Sequence, residues 1–302
     1  GESTPRAEVV ALARRIRARG MVANLTTSGF QLDDAAAATA AALFGQVNVS
    51  LDGVDDAAYR GVRGWSGAGL GLRAIDRLVA AGARVGVNTV ITRSNVDALP
   101  ALGRALADRG ITDWQWLRLK PVGRAAADYA ERTPTADQLR ALWPTALAIE
   151  ADTGLPIRWD CAMVPFLAAH GLPVEALRAL AVTGCPAGQS LLARTAGGGW
   201  TPCSFAHDAA EAGPVDAVWA AGGALTRWRG RVATLSAASG GPTLAEPCAS
   251  CPYAEVCRGG CRVVAAFHGD PGAPGPECPR VVAFRVQGPA VERPAVGPGV
   301  TG

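Results

Sequence analysis

The chain has 302 residues, 49% of them hydrophobic, and a formal net charge of +3. That is enough apolar sequence for one large domain plus a small one, and a charge balance that gives no support to a nucleic-acid partner. The positive charge is spread along the chain as Arg, with Lys120 the sole lysine. No apolar run is long enough for a membrane span and no targeting segment is visible, so the expected setting is the cytoplasm, with no membrane partner.

Residues 5–110 repeat one unit, an amphipathic helix, a glycine stop and a short β-rich strand. Val9, Leu12 and Ile16 share one face of the first helix, which stops at Gly20. A strand is predicted at 21–27, then a helix at 33–44 that opens on two aspartates, then a strand at 47–52. The next helix carries Leu72, Ile75 and Leu78 and stops at Gly82, before a strand at 85–92. Asn95 is expected to cap a helix with Leu99, Leu102 and Leu106 in register, ended by Gly110. A strand at 113–119 closes the series, and a long helix at 135–152 is expected to kink at Pro144.

Strands alternating with helices across short loops predict a parallel sheet with helical crossovers. Period-two alternation groups Asn24, Thr26 and Ser28 on one face, then Asn48, Ser50 and Asp52, then Asn88 and Thr92, then Arg118 and Lys120. Turned the same way, these faces line a polar interior with ligands at the carboxyl ends of the strands. Turned outward, some of them are ordinary solvated surface.

The pattern changes from residue 153. A strand at 156–160 runs into Cys161, and a short helix at 173–182 precedes Cys185. SLLART-AGGG-WTPC then reads as a hairpin with a Gly-rich turn, bracketed by Cys185 and Cys203. Residues 204–247 carry little signal beyond a short helix at 215–220. Five of the eight cysteines follow as C-x2-C-x5-C-x3-C-x16-C at Cys248, Cys251, Cys257, Cys261 and Cys278. The Pro/Gly-rich end, 281–302, is expected to be a disordered tail.

Thiols packed so densely into a Gly/Pro-rich stretch read as a ligand framework. With Cys161, Cys185 and Cys203 they make two sets of four, the demand of two zinc sites or two iron–sulfur clusters. Disulfides are a third reading, weakened by the missing signal peptide and by a chain long enough to do without staples. C-x2-C pairs serve zinc as well as iron.

Taken together, these pieces resemble the radical S-adenosylmethionine (SAM) enzymes with a C-terminal SPASM domain. GESTP is similar to the remainder of that family's GGEP motif, VNVSLDGVDDAAYRGVRG to its fourth barrel strand and loop, and GARVGVNTVITRSNVDAL to the fifth. Cys185, Gly198 and Cys203, spaced C-x12-G-x4-C, open its seven-cysteine pattern, and the five clustered cysteines supply the rest.

The resemblance implies an α/β chain: a partial (β/α)6 barrel over 1–152 with its first strands missing, then a small cysteine-rich SPASM domain over 153–280. Cys248, Cys251, Cys257 and Cys278 would hold an outer auxiliary [4Fe–4S] cluster, and Cys185, Cys203 and Cys261 three irons of an inner one. Gly1, Glu2 and Ser50 would contact SAM. Cys161 lies outside the pattern. It either closes the inner cluster, leaves that cluster with an open iron, or is a buried structural thiol.

The family's C-x3-C-x2-C loop, which holds a third, SAM-cleaving cluster, does not occur in these residues. The expectation is a truncated form that does not cleave SAM by itself. By the same resemblance, the full enzyme would modify a peptide or protein through a 5′-deoxyadenosyl radical, fed by a flavodoxin or ferredoxin. Action on a tetrapyrrole or other small molecule, a non-enzymatic electron-transfer or scaffold role, and a zinc-binding interaction module are the competing functions. No residue is nominated as catalytic acid or base.

Overall fold

Short helices and glycine stops set the rhythm of a computed structural model that describes residues 6–182, 184–206, 210–220, 245–270 and 272–287. Helix α1 (Ala7–Arg17) leads to strand β1 (Asn24–Thr27), and α2 (Asp34–Leu43) to β2 (Gln46–Ser50). Two helices, α3 (Asp56–Arg63) and α4 (Ala68–Ala80), precede β3 (Val85–Ile91). Helix α5 (Leu99–Ala107) leads to β4 (Trp114–Arg118). The short α6 (Tyr129–Arg132) and the long α7 (Ala136–Thr153) lead to β5 (Ile157–Trp159).

All neighbouring strands pair in parallel, in the order β1-β2-β3-β4-β5. The helix starts are chemically specified. Asp33 accepts from the Ala36 N–H, Asp55 from those of Ala57 and Ala58, and Thr135 and Gln138 form a reciprocal capping box. The predicted repeat therefore holds, with α3 an added helix and β5 a further strand of the sheet beyond residue 152.

One face of the sheet is the core. Val47, Val49, Val87, Ile91, Trp114, Trp116, Ile157 and Trp159 are buried there with Ile75, Leu78, Leu102, Leu106 and Ile149 from the helices. Each such aliphatic side chain contributes about 1.5–3 kcal/mol by leaving water. The indoles of Trp114, Trp116 and Trp159 meet edge-on at 5.4 and 5.3 Å. The other face is polar and half open. Ser50, Asn88, Gln115 and Arg158 form one cross-strand row, and Thr26, Asn48 and Gly86 another. Gly86 leaves the room in which Gln46 Nε2 bonds Asn48 Oδ1 at 2.8 Å, since a Cβ would stand 2.2 Å from that oxygen. Gln46 and Arg158 both donate to Asp113, closing the amino-terminal end of the face.

Three expectations need correction. Asn95 is not a helix cap, because a 3-10 turn (Val96–Ala98) follows it and its side chain bonds elsewhere. Arg118 and Lys120 are not on the open face. Trp114 and Trp116 fix the parity of β4, so Arg118 pairs in register with the core residue Ile91. The disordered tail does not begin at 281. Helix α13 covers Pro279–Gln287 because its Val281 is buried against Cys248; residues 288–302 lie outside the described set.

The second half is built from α8 (Val164–Ala168), α9 (Val174–Ala179), the antiparallel pair β6 (Ala193–Arg194) and β7 (Trp200–Thr201), and α10 (Val215–Ala220). Helices α11 (Ala254–Cys257) and α12 (Arg262–Phe267) then precede α13. The predicted hairpin is present, its turn made by Gly198 at φ 83°. No helix among the described residues is long and apolar enough to cross a membrane.

Candidate metal centres

The carboxyl ends of the strands are tied together by a buried asparagine. Asn95 Nδ2 donates to the carbonyls of Asp52 at 3.0 Å and Val90 at 2.9 Å, and Oδ1 accepts from the Thr92 N–H at 2.8 Å. Asp52, wholly buried, pairs with Arg63 at 2.5 Å and accepts from the Val90 N–H. Burial pushes its carboxyl above the usual range even so. A cavity of about 250 Å³ opens beside this staple, lined among others by Arg63, Thr92, Arg124 and Arg132. Ser50 ends β2 half-buried on the open polar face, in register with Asn88. Gly1 and Glu2 lie outside the described residues.

The end of β4 turns towards the cysteine-rich half. Arg118 stacks over the Phe166 ring at 5.0 Å and pairs with Glu277, 159 residues away, at 2.6 Å. Lys120 pairs with Asp160 at 2.5 Å and lies 4.6 Å from the centre of the Phe205 ring. Both ion pairs are largely buried. Burial opposes the charge on Asp160 and on Lys120, but each holds the other ionised, so Asp160 falls below and Lys120 rises above its ordinary value.

Beyond Asp160 the thiols gather. Cys161 donates to Asp160 Oδ1 at 3.2 Å and is also in hydrogen-bond contact with Cys185. That bond, helped by the Ala187 N–H and the Arg262 charge against the cost of burial, brings the Cys185 thiol down to about 7. The proton stays on Cys161, where the neighbouring thiol, burial and the Asp160 carboxylate all disfavour a thiolate. Cys203 feels both Cys185 and Cys261, and burial raises it. Cys161 therefore stands with Cys185, Cys203 and Cys261, delivered by β5, the loop after α9, the β6–β7 hairpin and the start of α12.

The other four thiols line one cavity of about 300 Å³: Cys248, Cys251, Cys257 and Cys278. A single water needs about 10–15 Å³, so the space suits a group much larger than one ion. Burial and the neighbouring thiols push Cys257 up to about 12 and Cys248 up to about 11. Those two thiols keep their protons until a cation displaces them. Gly184, at φ 82°, brings the two sets together; a Cβ there would stand 2.0 Å from the Val256 carbonyl oxygen. Among the described residues no three His, Cys, Asp or Glu side chains converge closely enough to share one metal ion.

The sequence brought seven of these thiols into two sets through the family pattern and left Cys161 open. It did not reveal Asp160, Glu277 or Arg262 as their surroundings. Only the position of Arg262, immediately after Cys261, could have drawn attention to it.

No family model matches the chain. Mycofactocin maturase of Mycobacterium ulcerans is 33% identical over 99% of this chain and 78% of its own length. The maturase of the same name from Mycolicibacterium smegmatis is 31% identical over 100% and 74%. Among solved structures, Streptococcus suis SuiB bound to S-adenosylmethionine superposes with a TM-score of 0.69 at 16% identity, over 92% of this chain. The chain spans 64% of that protein's length. The structure of anSMEcpe with bound AdoMet matches with a TM-score of 0.62 at 15% identity, over 92% of this chain and 76% of its own.

Proposed function

The chain belongs to the radical SAM enzymes, alongside the mycofactocin maturases, and on that footing we propose that it modifies a peptide and carries two auxiliary [4Fe–4S] clusters. Residues 1–152 form part of the barrel and 153–280 the SPASM portion, with β5 carrying the sheet across that boundary. Cys248, Cys251, Cys257 and Cys278 hold the outer cluster. Cys185, Cys203 and Cys261 hold the inner one, with Cys161 as its fourth ligand. The observation that carries this reading is the grouping of the eight thiols: four line one cavity, and the other four are linked in a chain, Cys161 to Cys185 and Cys203 to both Cys185 and Cys261.

The donor chemistry fits the group. Soft thiolates in sets of four, one set lining a cavity of about 300 Å³, suit a cubane whose ligands bind separate irons. When bound with a reduced cluster, SAM supplies a 5′-deoxyadenosyl radical that takes hydrogen from a substrate C–H. The chain's own residues give that chemistry its place. Ser50 and Asn88 would offer hydroxyl and amide groups on the open face to SAM, and the family resemblance adds Gly1 and Glu2 as SAM contacts. Asn95 and the Asp52–Arg63 pair hold the strand ends rigid around the adjoining cavity. The peptide assignment rests on the relatives: besides the maturases, SuiB has been solved bound to its precursor peptide SuiA. An external one-electron donor, a flavodoxin or ferredoxin, completes the system.

Anaerobic reconstitution tests the metal half of the proposal. About eight iron and eight sulfide per chain are expected; stoichiometric zinc without a visible charge-transfer band would overturn it. For the substrate half, a short precursor peptide encoded beside this gene is expected to bind the reconstituted chain saturably. Binding no tighter than that of a scrambled peptide would count against a peptide substrate.

A further inference from the structure

Arg262 is only 2% exposed, and a guanidinium is not buried without compensation. It is the first residue of α12, directly after Cys261 of the inner set. Its side chain turns back, with Nη2 donating to the Arg258 carbonyl at 2.5 Å and Nη1 to that of Ala273 at 3.4 Å. Arg258 directly follows Cys257 of the outer set and caps α11 in a left-handed conformation at φ 54°. The guanidinium is thereby anchored between a ligand of one set and a ligand of the other. The thiols that bear on its charge are Cys185 and Cys261 from the inner set and Cys257 and Cys248 from the outer.

Resting on the assignment of one [4Fe–4S] cluster to each set, we propose that Arg262 is a counter-charge shared by both clusters and raises both reduction potentials together. A thiolate-ligated cubane is already anionic, and reduction adds one more negative charge in a poorly solvated site. A fixed cation nearby favours that reduced state, and an arginine keeps its proton at every working pH. Lys120 is not equivalent. Among the thiols it bears on Cys261, Cys161 and Cys203, all of the inner set, and Asp160 matches its charge. Arg262 is a positioning residue in this scheme and touches no substrate.

The test is a mediated redox titration of the full reconstituted chain, followed by the spectrum of the reduced clusters. Wild type, Arg262→Gln and Arg262→Lys are compared, each with iron and sulfide counted. Arg262→Gln is expected to lower the reduction equilibrium of both clusters at least tenfold, about 59 mV for a one-electron couple. Arg262→Lys should stay within about threefold of wild type, because it keeps the charge and loses only the fork. A drop confined to one cluster, no drop in a fully loaded Arg262→Gln chain, or an equal drop in Arg262→Lys would overturn the proposal. If Arg262→Gln does not load, Arg262→Lys decides. Loading with wild-type potentials supports a charge role, and failure to load alongside Arg262→Gln shows that the fork's hydrogen bonds, not its charge, are what matters. A wild-type chain without eight iron would instead defeat the cluster assignment itself.

Discussion

Removing Cys161 isolates the contact on which the inner set depends. Contact with Cys161 lowers the Cys185 thiol, and burial alone would move it the other way. In Cys161→Ala that contact is gone, so Cys185 should return at least to the ordinary thiol value of 9.0. In the cluster-free chain at pH 7 the Cys185 thiolate fraction would fall, and alkylation follows the thiolate. Site-resolved mass spectrometry should therefore show Cys185 reacting at least several-fold more slowly at pH 7, with the difference closing as the pH is raised above 9. Cys161→Ser keeps a hydroxyl donor, so its Cys185 rate should stay closer to wild type than that of Cys161→Ala. In the reconstituted chain, Cys161→Ala should lose about one iron in eight and change the inner-cluster spectrum while the outer one persists. An unchanged Cys185 rate, together with full iron content, would show that Cys161 is packing and that the inner set is closed by something else.

Three further outcomes follow from the geometry. Asn95→Ala breaks four hydrogen bonds at about 1 kcal/mol each and should cost about 4 kcal/mol in urea denaturation; a loss below about 1 kcal/mol would show that the staple is not needed. Arg118→Met and Glu277→Gln should each cost about 3 kcal/mol, the low end for a buried pair because Glu277 keeps 18% exposure. The double variant should cost at least about 1 kcal/mol less than the two added together, and strict additivity would refute the coupling. Gly184→Ala combines a left-handed conformation, worth about 1–2 kcal/mol, with a clash against the Val256 carbonyl. Iron retention after gel filtration should fall, and undiminished retention would show that the loop can shift freely.

Much of the sheet was legible because its signals are local. Gly20, Gly82 and Gly110 stop helices in positive-φ conformations, and alternating strands carry their own periodicity. The seven patterned cysteines were legible through spacing. What escaped is set by tertiary partners. Helix α3 is short, contains Gly61 and starts on the cap that Asp55 supplies, so its apolar face is too small to register. Arg118 and Lys120 were assigned to the wrong face because their charge suggested an open lumen, whereas Trp114 and Trp116 impose the opposite parity and Glu277 and Asp160 neutralise the buried charges. Asn95 resembles a cap in sequence, yet its amide spans two strand ends that only the folded sheet brings together. The helix at Pro279–Gln287 hid in a Pro/Gly-rich stretch because its reason for forming is Val281 against Cys248.

The chain spans of the two thiol sets have a consequence for the order in which this protein assembles. The outer set closes within the 30 residues from Cys248 to Cys278, while the inner set reaches the 100 residues from Cys161 to Cys261. Loop closure favours the shorter span by only about 1 kcal/mol. The larger asymmetry is what each set waits for. The outer ligands come from one contiguous stretch, so they can be gathered as soon as α11 and α13 meet. Cys161 is held at the end of β5, which takes its place only after β4 has paired with the strands before it. Once Cys278 has been made, the four outer thiols could therefore gather on a sheet already built, and the inner four would come together last, as the cysteine-rich half docks through Arg118 and Glu277. On the proposed assignment, iron delivered before that docking would meet three of the four inner thiols.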